Sequence, residues 1–398
     1  MRRLTAAFSL ITALTILGSC APAEPPPDPL PNGLLLALAV LETGPDGKPV
    51  PQPAQLGILT NDGTAWHWRS ISDPDSNVFH KAMVYAPSTG EASILTAGGT
   101  KAMLKLWRSP TEFITLWEKD FGGKFSRMRD VEIADVYGDG SATLAVATHD
   151  QGVVATVRPA GDGTWEVTEL DQEPDTFVHE IEVGDLNGDG VLEIYATPSL
   201  PNKLDGTPQP GSVVRYVPAA GEGRVVVADL GDRHAKEILV DDVDGDSTDE
   251  LYVSVEAVAG GNVEIVRYDA DTDPTGGTVV ATLDDKLCRF LTAGDVDGDG
   301  DMEMVAAAHK SGLWLLEPQP NGATWSKTSI DRNSSGFEHA AILTDLDGDG
   351  VDELYVANDD HGEIDRYVWI DGEPMKETLY TFHTERVGAT AAPPAVPA

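Results

Sequence analysis

Along most of the chain, apolar residues fall in short runs broken by Gly, Pro, Asp and Asn. Val, Ile, Leu, Tyr and Trp dominate the runs. No segment keeps a helical period of about 3.6 residues, so the pattern predicts strands. One stretch carries runs at 180–184, 192–196, 213–217 and 224–228, and another at 290–294, 302–307, 312–316 and 325–330. Four short strands in a unit of about fifty residues is the pattern of a propeller blade.

The unit repeats. An acidic turn of the form Asp-x-x-Gly-Asp begins at Asp135, Asp185, Asp242, Asp295 and Asp345, at intervals of 50, 57, 53 and 50 residues. A decayed copy begins at Tyr85; it keeps Gly90 and Ile94 but none of the acids that mark the turn. Six copies head six blades. Three more strands at 34–41, 55–60 and 64–71, with a run at 385–390 resembling an entering strand, supply a seventh. The expected fold is all-β: a seven-bladed β-propeller of four-stranded antiparallel blades over residues 33–388. The first blade is closed by the C-terminal strand, which leaves no open sheet edge at the join. Six blades with a flanking hairpin is the alternative.

At the N-terminus, Arg2 and Arg3 precede an uncharged apolar run over 4–17, and Leu17, Gly18 and Ser19 precede Cys20. The arrangement resembles a bacterial lipobox. That implies a signal peptide over 1–19, cleavage before Cys20 and a membrane anchor on its thiol. Ala21, in place of Asp, implies the outer membrane. Residues 20–32 are Pro-rich and read as an extended tether, and 389–398 as a disordered tail. With Cys20 lipidated, Cys288 has no intramolecular partner, and its apolar strand marks it as a buried, inert thiol.

Charge narrows the partners. The 398 residues carry 66 acids against 27 Lys and Arg, a net −39. Loss of residues 1–19 removes Arg2, Arg3 and no acid, taking the charge to −41. Nucleic acid is excluded as a partner, and the membrane is reached through Cys20 alone. Because the acids cluster, a divalent cation is the first partner expected. A monomer is expected.

The acidic turns closely resemble the FG-GAP or VCBS repeats of integrin-α-type propellers, over about 75–385. The resemblance implies a propeller with calcium in the turn between the first two strands of a blade. Calcium takes six to eight oxygens in flexible geometry, and alternate residues of such a turn point inward. Positions 1, 3, 5 and 9 then supply Asp185, Asn187, Asp189 and Glu193; Asp242, Asp244, Asp246 and Glu250; Asp295, Asp297, Asp299 and Glu303; and Asp345, Asp347, Asp349 and Glu353. In the first loop Tyr137 and Thr143 stand at positions 3 and 9, leaving Asp135 and Asp139. About four structural calcium sites are expected, with the Asp135 loop weak or empty.

A second column of residues lies six positions before each turn: Arg129, His179, Lys236, Arg289 and His339. His80 and Arg386 stand one residue out of phase in the other two blades. The innermost strand runs from this residue to the acidic turn, so the column marks the opposite mouth of the central channel. The turns between second and third strands return to that face and bring His149, His309 and His361, with His234 less firmly placed. Either these cations are solvated or paired with acids such as Asp130, Glu180 and Glu237, or they form a funnel. A funnel would hold an anionic or sugar ligand, or a transition metal on two or three imidazoles.

The expectation is a calcium-stabilised, surface-anchored binding propeller that recognises a carbohydrate, an anionic small molecule or a protein at the channel mouth. The alternative is a polysaccharide lyase or sugar dehydratase/isomerase. There, Arg129 or Arg289 would neutralise a uronate and His179 or His339 would take the proton. A scaffold role is the third reading. The sequence contains no P-loop, serine elbow or paired-Cys metal motif.

Overall fold

The computed structural model describes residues 33–382, apart from 88–91, 123–125, 201–206, 259, 320–323 and 338. It is a seven-bladed β-propeller. Six blades are four-stranded antiparallel meanders whose strands follow in chain order. Their innermost strands are Phe79–Tyr85, Met128–Ala134, Phe177–Gly184, Ala235–Asp241, Cys288–Gly294 and Ala340–Thr344. Each second strand is the core of its blade. In Thr143–Thr148, Glu193–Ser199, Glu250–Val255 and Glu303–Ala308 every residue is buried. The outermost strands, such as Glu222–Asp229, are largely exposed. Apolar clusters run from one blade into the next, as where Tyr195 packs with Ile238, Leu251 and Val253. Burial between blades therefore holds the ring together.

The first blade shows three strands, Gly33–Leu38, Ala54–Asn61 and Trp66–Asp73. Its first strand ends earlier than the apolar run suggested. The chain then forms a small hairpin, Leu41–Thr43 with Pro49–Pro51, which the pattern did not reveal. The expected closing strand, with Arg386, lies outside the described residues. The first and last blades meet through aromatic side chains. Trp68 stacks on Tyr380 with ring centroids 5.1 Å apart and meets the ring of Phe382 edge-on at 5.0 Å. No side chain fits at Gly57, because the Trp68 ring lies 2.0 Å from where its Cβ would stand.

Five innermost strands share one irregularity. The ladder slips between Phe79 and Lys81, Met128 and Asp130, Val178 and Ile181, Ala235 and Ile238, and Cys288 and Phe290. The residues skipped include His80, Arg129, His179, Lys236 and Arg289. Five of the column residues are thus bulge residues, and a bulge turns a side chain out of the strand's regular alternation. Side chains of the preceding blade satisfy two backbone donors next to these bulges: Ile181 N donates to Asp130 Oδ2 at 2.8 Å and Leu291 N to Glu237 Oε1 at 3.1 Å.

Candidate functional site

At one end of the blades the acidic turns fold on their own carboxylates. Asp345 accepts from the backbone of Gly348, Asp349 and Gly350 at 2.6–3.0 Å. Asp185 and Asp295 do the same for two residues each. Position 6 is a left-handed glycine in four loops; Ser247, at φ 77°, takes that strained place in the fifth. Ligand atoms converge within 4.8 Å in three groups: Asp242, Asp244, Asp246 and Glu250; Asp295, Asp297 and Asp299; and Asp345, Asp347 and Asp349. These oxygen-only clusters fit a hard divalent cation.

The four-ligand expectation is met in full only in the Asp242 loop. Glu303 Oε2 instead accepts from Val296 N at 3.1 Å, and Glu353 Oε2 from Leu346 N at 3.3 Å. In the Asp185 loop, Glu193 is engaged by the Tyr195 hydroxyl and by Arg215 at 3.0 Å. Its three acids form no convergent group. Asp139 of the first loop is paired with Arg158 at 3.0 Å.

An arginine on the third strand, absent from the sequence reading, separates the loops. Arg215 pairs with Glu193, Arg267 with Asp244 and Glu250, and Arg366 with Glu353 at 3.6 Å. The sixth blade has Leu315 in that register, and Val305 where others place Tyr195, Tyr252 and Tyr355. Glu303 therefore has neither partner. Burial first, then Asp297, Asp299 and Asp295, push its carboxyl up to about 7. The loops are also clipped in pairs, since Asp185 N donates to Asp249 at 2.7 Å and Asp295 N to Asp352 at 3.0 Å. Those carboxylates sit where a Cβ at Gly184 or Gly294 would collide.

At the other end the bulges bring the basic column together. Arg129 Nη1 lies 2.6 Å from His80 Nδ1. His149 packs between His80 and His179, with ring centroids 6.1 and 5.5 Å away, and against Phe177 at 4.2 Å. Burial first, then Lys236, Arg129, His149 and Arg289, hold His179 well below the usual imidazole range. Burial likewise dominates at His80, helped by Arg129 and Arg127, and brings His149 down to about 4. Arg289 Nε donates to Glu256 at 3.2 Å, and His234 Nε2 lies 2.9 Å from the same carboxylate. Burial works against the charge of Glu256, but Arg289, Lys236 and His234 override it and bring the group down to about 2.

The other mouth candidates divide. His339 is held at both nitrogens, by Ser334 Oγ at 2.6 Å and the Ala308 carbonyl at 3.0 Å. His309 packs near Phe337, whose ring carries the Arg289 guanidinium at 4.4 Å. His361 is exposed at the rim beside Asn358 and Glu363. Among the described residues, no group with converging metal-ligand atoms contains histidine.

The acids thought to neutralise the column lie one layer deeper around Lys81. Its ammonium meets Asp130 at 3.1 Å, Glu132, and Glu180 at 3.9 Å. Burial opposes that charge, but Asp130, Glu132, Glu180 and Glu182 hold the ammonium well above its usual range. One cation cannot match the whole layer. Burial, then neighbouring carboxylates, hold Glu180 and Glu182 well above the ordinary carboxyl range; Glu237 is raised mainly by burial. Cys288 is buried as expected, its thiol pushed up to about 12 by burial.

Fold and turns define a β-propeller with acidic loops able to hold metal ions. The model of the FG-GAP-like repeat matches residues 135–196 and 295–356, so the chain is a β-propeller that carries FG-GAP-like repeats. Among solved structures it resembles the periplasmic gluconolactonase PpgL of Pseudomonas aeruginosa, with 12% identity, TM-score 0.51, and coverage of 89% of this chain and 96% of that one. It also resembles Sqt1 of Saccharomyces cerevisiae, with 10% identity, TM-score 0.50, and coverage of 82% and 80%. These likenesses show the fold alone. None of the curated proteins matches the sequence.

Two predictions follow from these charges. A cation at about 100 times its Kd stabilises its site by about 2.7 kcal/mol. Asp299→Ala should therefore remove more of the calcium-induced rise in Tm than Asp189→Ala, measured by calorimetry with calcium against chelator. The second concerns pH. Glu180, Glu182 and Glu237 bind protons more tightly folded than unfolded, so their contribution is complete below the ordinary 4.5 and is lost as pH rises through their raised folded values. In saturating calcium, wild type should lose more Tm than Glu182→Gln as pH is raised from about 5, a difference that cancels the opposite contribution of the buried histidines, which gain stability as pH rises toward their ordinary value.

Proposed function

We propose that the protein is an exported, calcium-braced binding propeller, tethered to the outer membrane through lipidated Cys20. Its ligand, a carbohydrate, an anionic small molecule or a protein, is received at the channel mouth opposite the metal loops. The observation that carries this reading is the convergence of His80, Arg129, His149, His179, Lys236 and Arg289 at one end of the channel. Groups so buried are costly to leave unmatched, and rigid strands hold them in place. Calcium in the acidic loops relieves carboxylate repulsion and stiffens the blades that present the mouth. Proton abstraction from an acidic sugar would fall to His179 alone, since both ring nitrogens of His339 are engaged.

Calorimetric titration with a panel of neutral and acidic oligosaccharides, in calcium, tests the binding role. At least one should bind, and His179→Ala should abolish that binding while the protein stays folded. Undiminished binding by the variant contradicts the mouth as the site. For the anchor, palmitate labelling in a bacterial host should be lost in Cys20→Ser.

A further inference from the structure

The polar atoms of the mouth are out of balance in one direction. His80 Nδ1 accepts from Arg129, which puts the ring proton of the neutral imidazole on Nε2. That Nε2–H is buried and has no hydrogen-bond partner. The same holds for Arg129 Nε and Arg289 Nη2, both of them donors. His179 is 4% exposed, and neither of its ring nitrogens has a partner. A neutral imidazole supplies one donor and one acceptor, so the four side chains leave four donors unmet against a single acceptor. A buried polar group left unpaired is costly. What the mouth lacks is an acceptor-rich group.

Charge points the same way. Arg129, Lys236 and Arg289 all act on His179, while Glu256 is already paired with Arg289 and His234 and Asp150 with His149 at 2.6 Å. The carboxylates of the deeper layer are turned to Lys81 and to the backbone of the next blade. The guanidinium of Arg289 is fixed by Glu256 on one edge and by the Phe337 ring on its face, so its free Nη2 is aimed before any ligand arrives.

We propose that the channel mouth binds an oxyanion group, carboxylate, sulfate or phosphate in type. Arg129 and Arg289 hold it, and His80 and His179 donate ring N–H groups to it. This rests on the reading of the mouth as the ligand site and names the chemistry that site recognises. Charge-assisted bonds to such a group are about twice as strong as neutral ones, and a partly buried site keeps much of that strength in salt.

The test is isothermal titration of the full chain in calcium at low ionic strength with three probes: sulfate, galacturonate and neutral galactose. Sulfate or galacturonate should bind and galactose should not, and the two anions separate a tetrahedral from a planar preference. Arg289→Gln should weaken the anion about tenfold or more, with Arg289→Lys intermediate, because a lysine keeps the charge but not the fork. Arg289→Gln strands Glu256 and can cost folding, so Arg129→Gln, which leaves that pair intact, is run beside it with the same expectation. No response to either anion at millimolar concentration overturns the proposal, as does unchanged anion binding in folded Arg129→Gln. A neutral oligosaccharide that binds wild type and is lost in His179→Ala, with both anions silent, overturns the oxyanion assignment and leaves the mouth as the binding site.

Discussion

A chain this acidic folds only if each charge drawn out of water meets an opposite charge, a proton or a bound ion. Two like charges about 4 Å apart repel by about 4 kcal/mol at the effective dielectric of a protein surface. Three of the acidic loops gather several at about that range. Different blades answer the problem differently. Arg158, Arg215, Arg267 and Arg366 reach into four loops from the third strands, and the sixth blade offers Leu315 instead. In the channel, Lys81 answers part of the acidic layer, and burial with like charge favours protonation of the rest.

The bulges turn this arrangement into two poles. Where the ladder slips, the side chains of His80, Arg129, His179, Lys236 and Arg289 leave the regular alternation and gather at the mouth. The next carboxylates along, Asp130 and Glu237, accept from the backbone of the following blade. Positive charge and neutral imidazoles collect above, and carboxyl groups collect below. Rigid, interlocked strands hold both layers, the condition under which a binding site is organised before its ligand arrives.

Much of this could be read from the sequence because a repeat displays whatever every blade shares. Spacing revealed the blades, the acidic turns and the basic column. Contacts made by one blade alone escaped it. Glu256 stands just after its second strand, where other blades place His149, His309 or Asp359, so no shared column announced it, yet it fixes Arg289 and His234. The third-strand arginines follow their turns at uneven distances, so no column announced them. Position 9 was expected to be a ligand in four loops. In three of them local chemistry engages it otherwise: a tyrosine hydroxyl and an arginine at Glu193, and backbone N–H groups at Glu303 and Glu353. His339 matched the basic column in sequence, but Ser334 and a carbonyl of the preceding blade hold its ring. The hairpin at residues 41–51 interrupts a blade that has no acidic turn to mark it.

Charge matching, loop by loop, is the claim on which the account stands, and anomalous diffraction from calcium-grown crystals tests it most directly. The account predicts the strongest anomalous peak within the Asp295 loop, weaker peaks at Asp242 and Asp345, and none at Asp135. A peak at Asp135 or Asp185 with the Asp295 loop bare would contradict it, because cations would then be ignoring the one loop that has no arginine of its own.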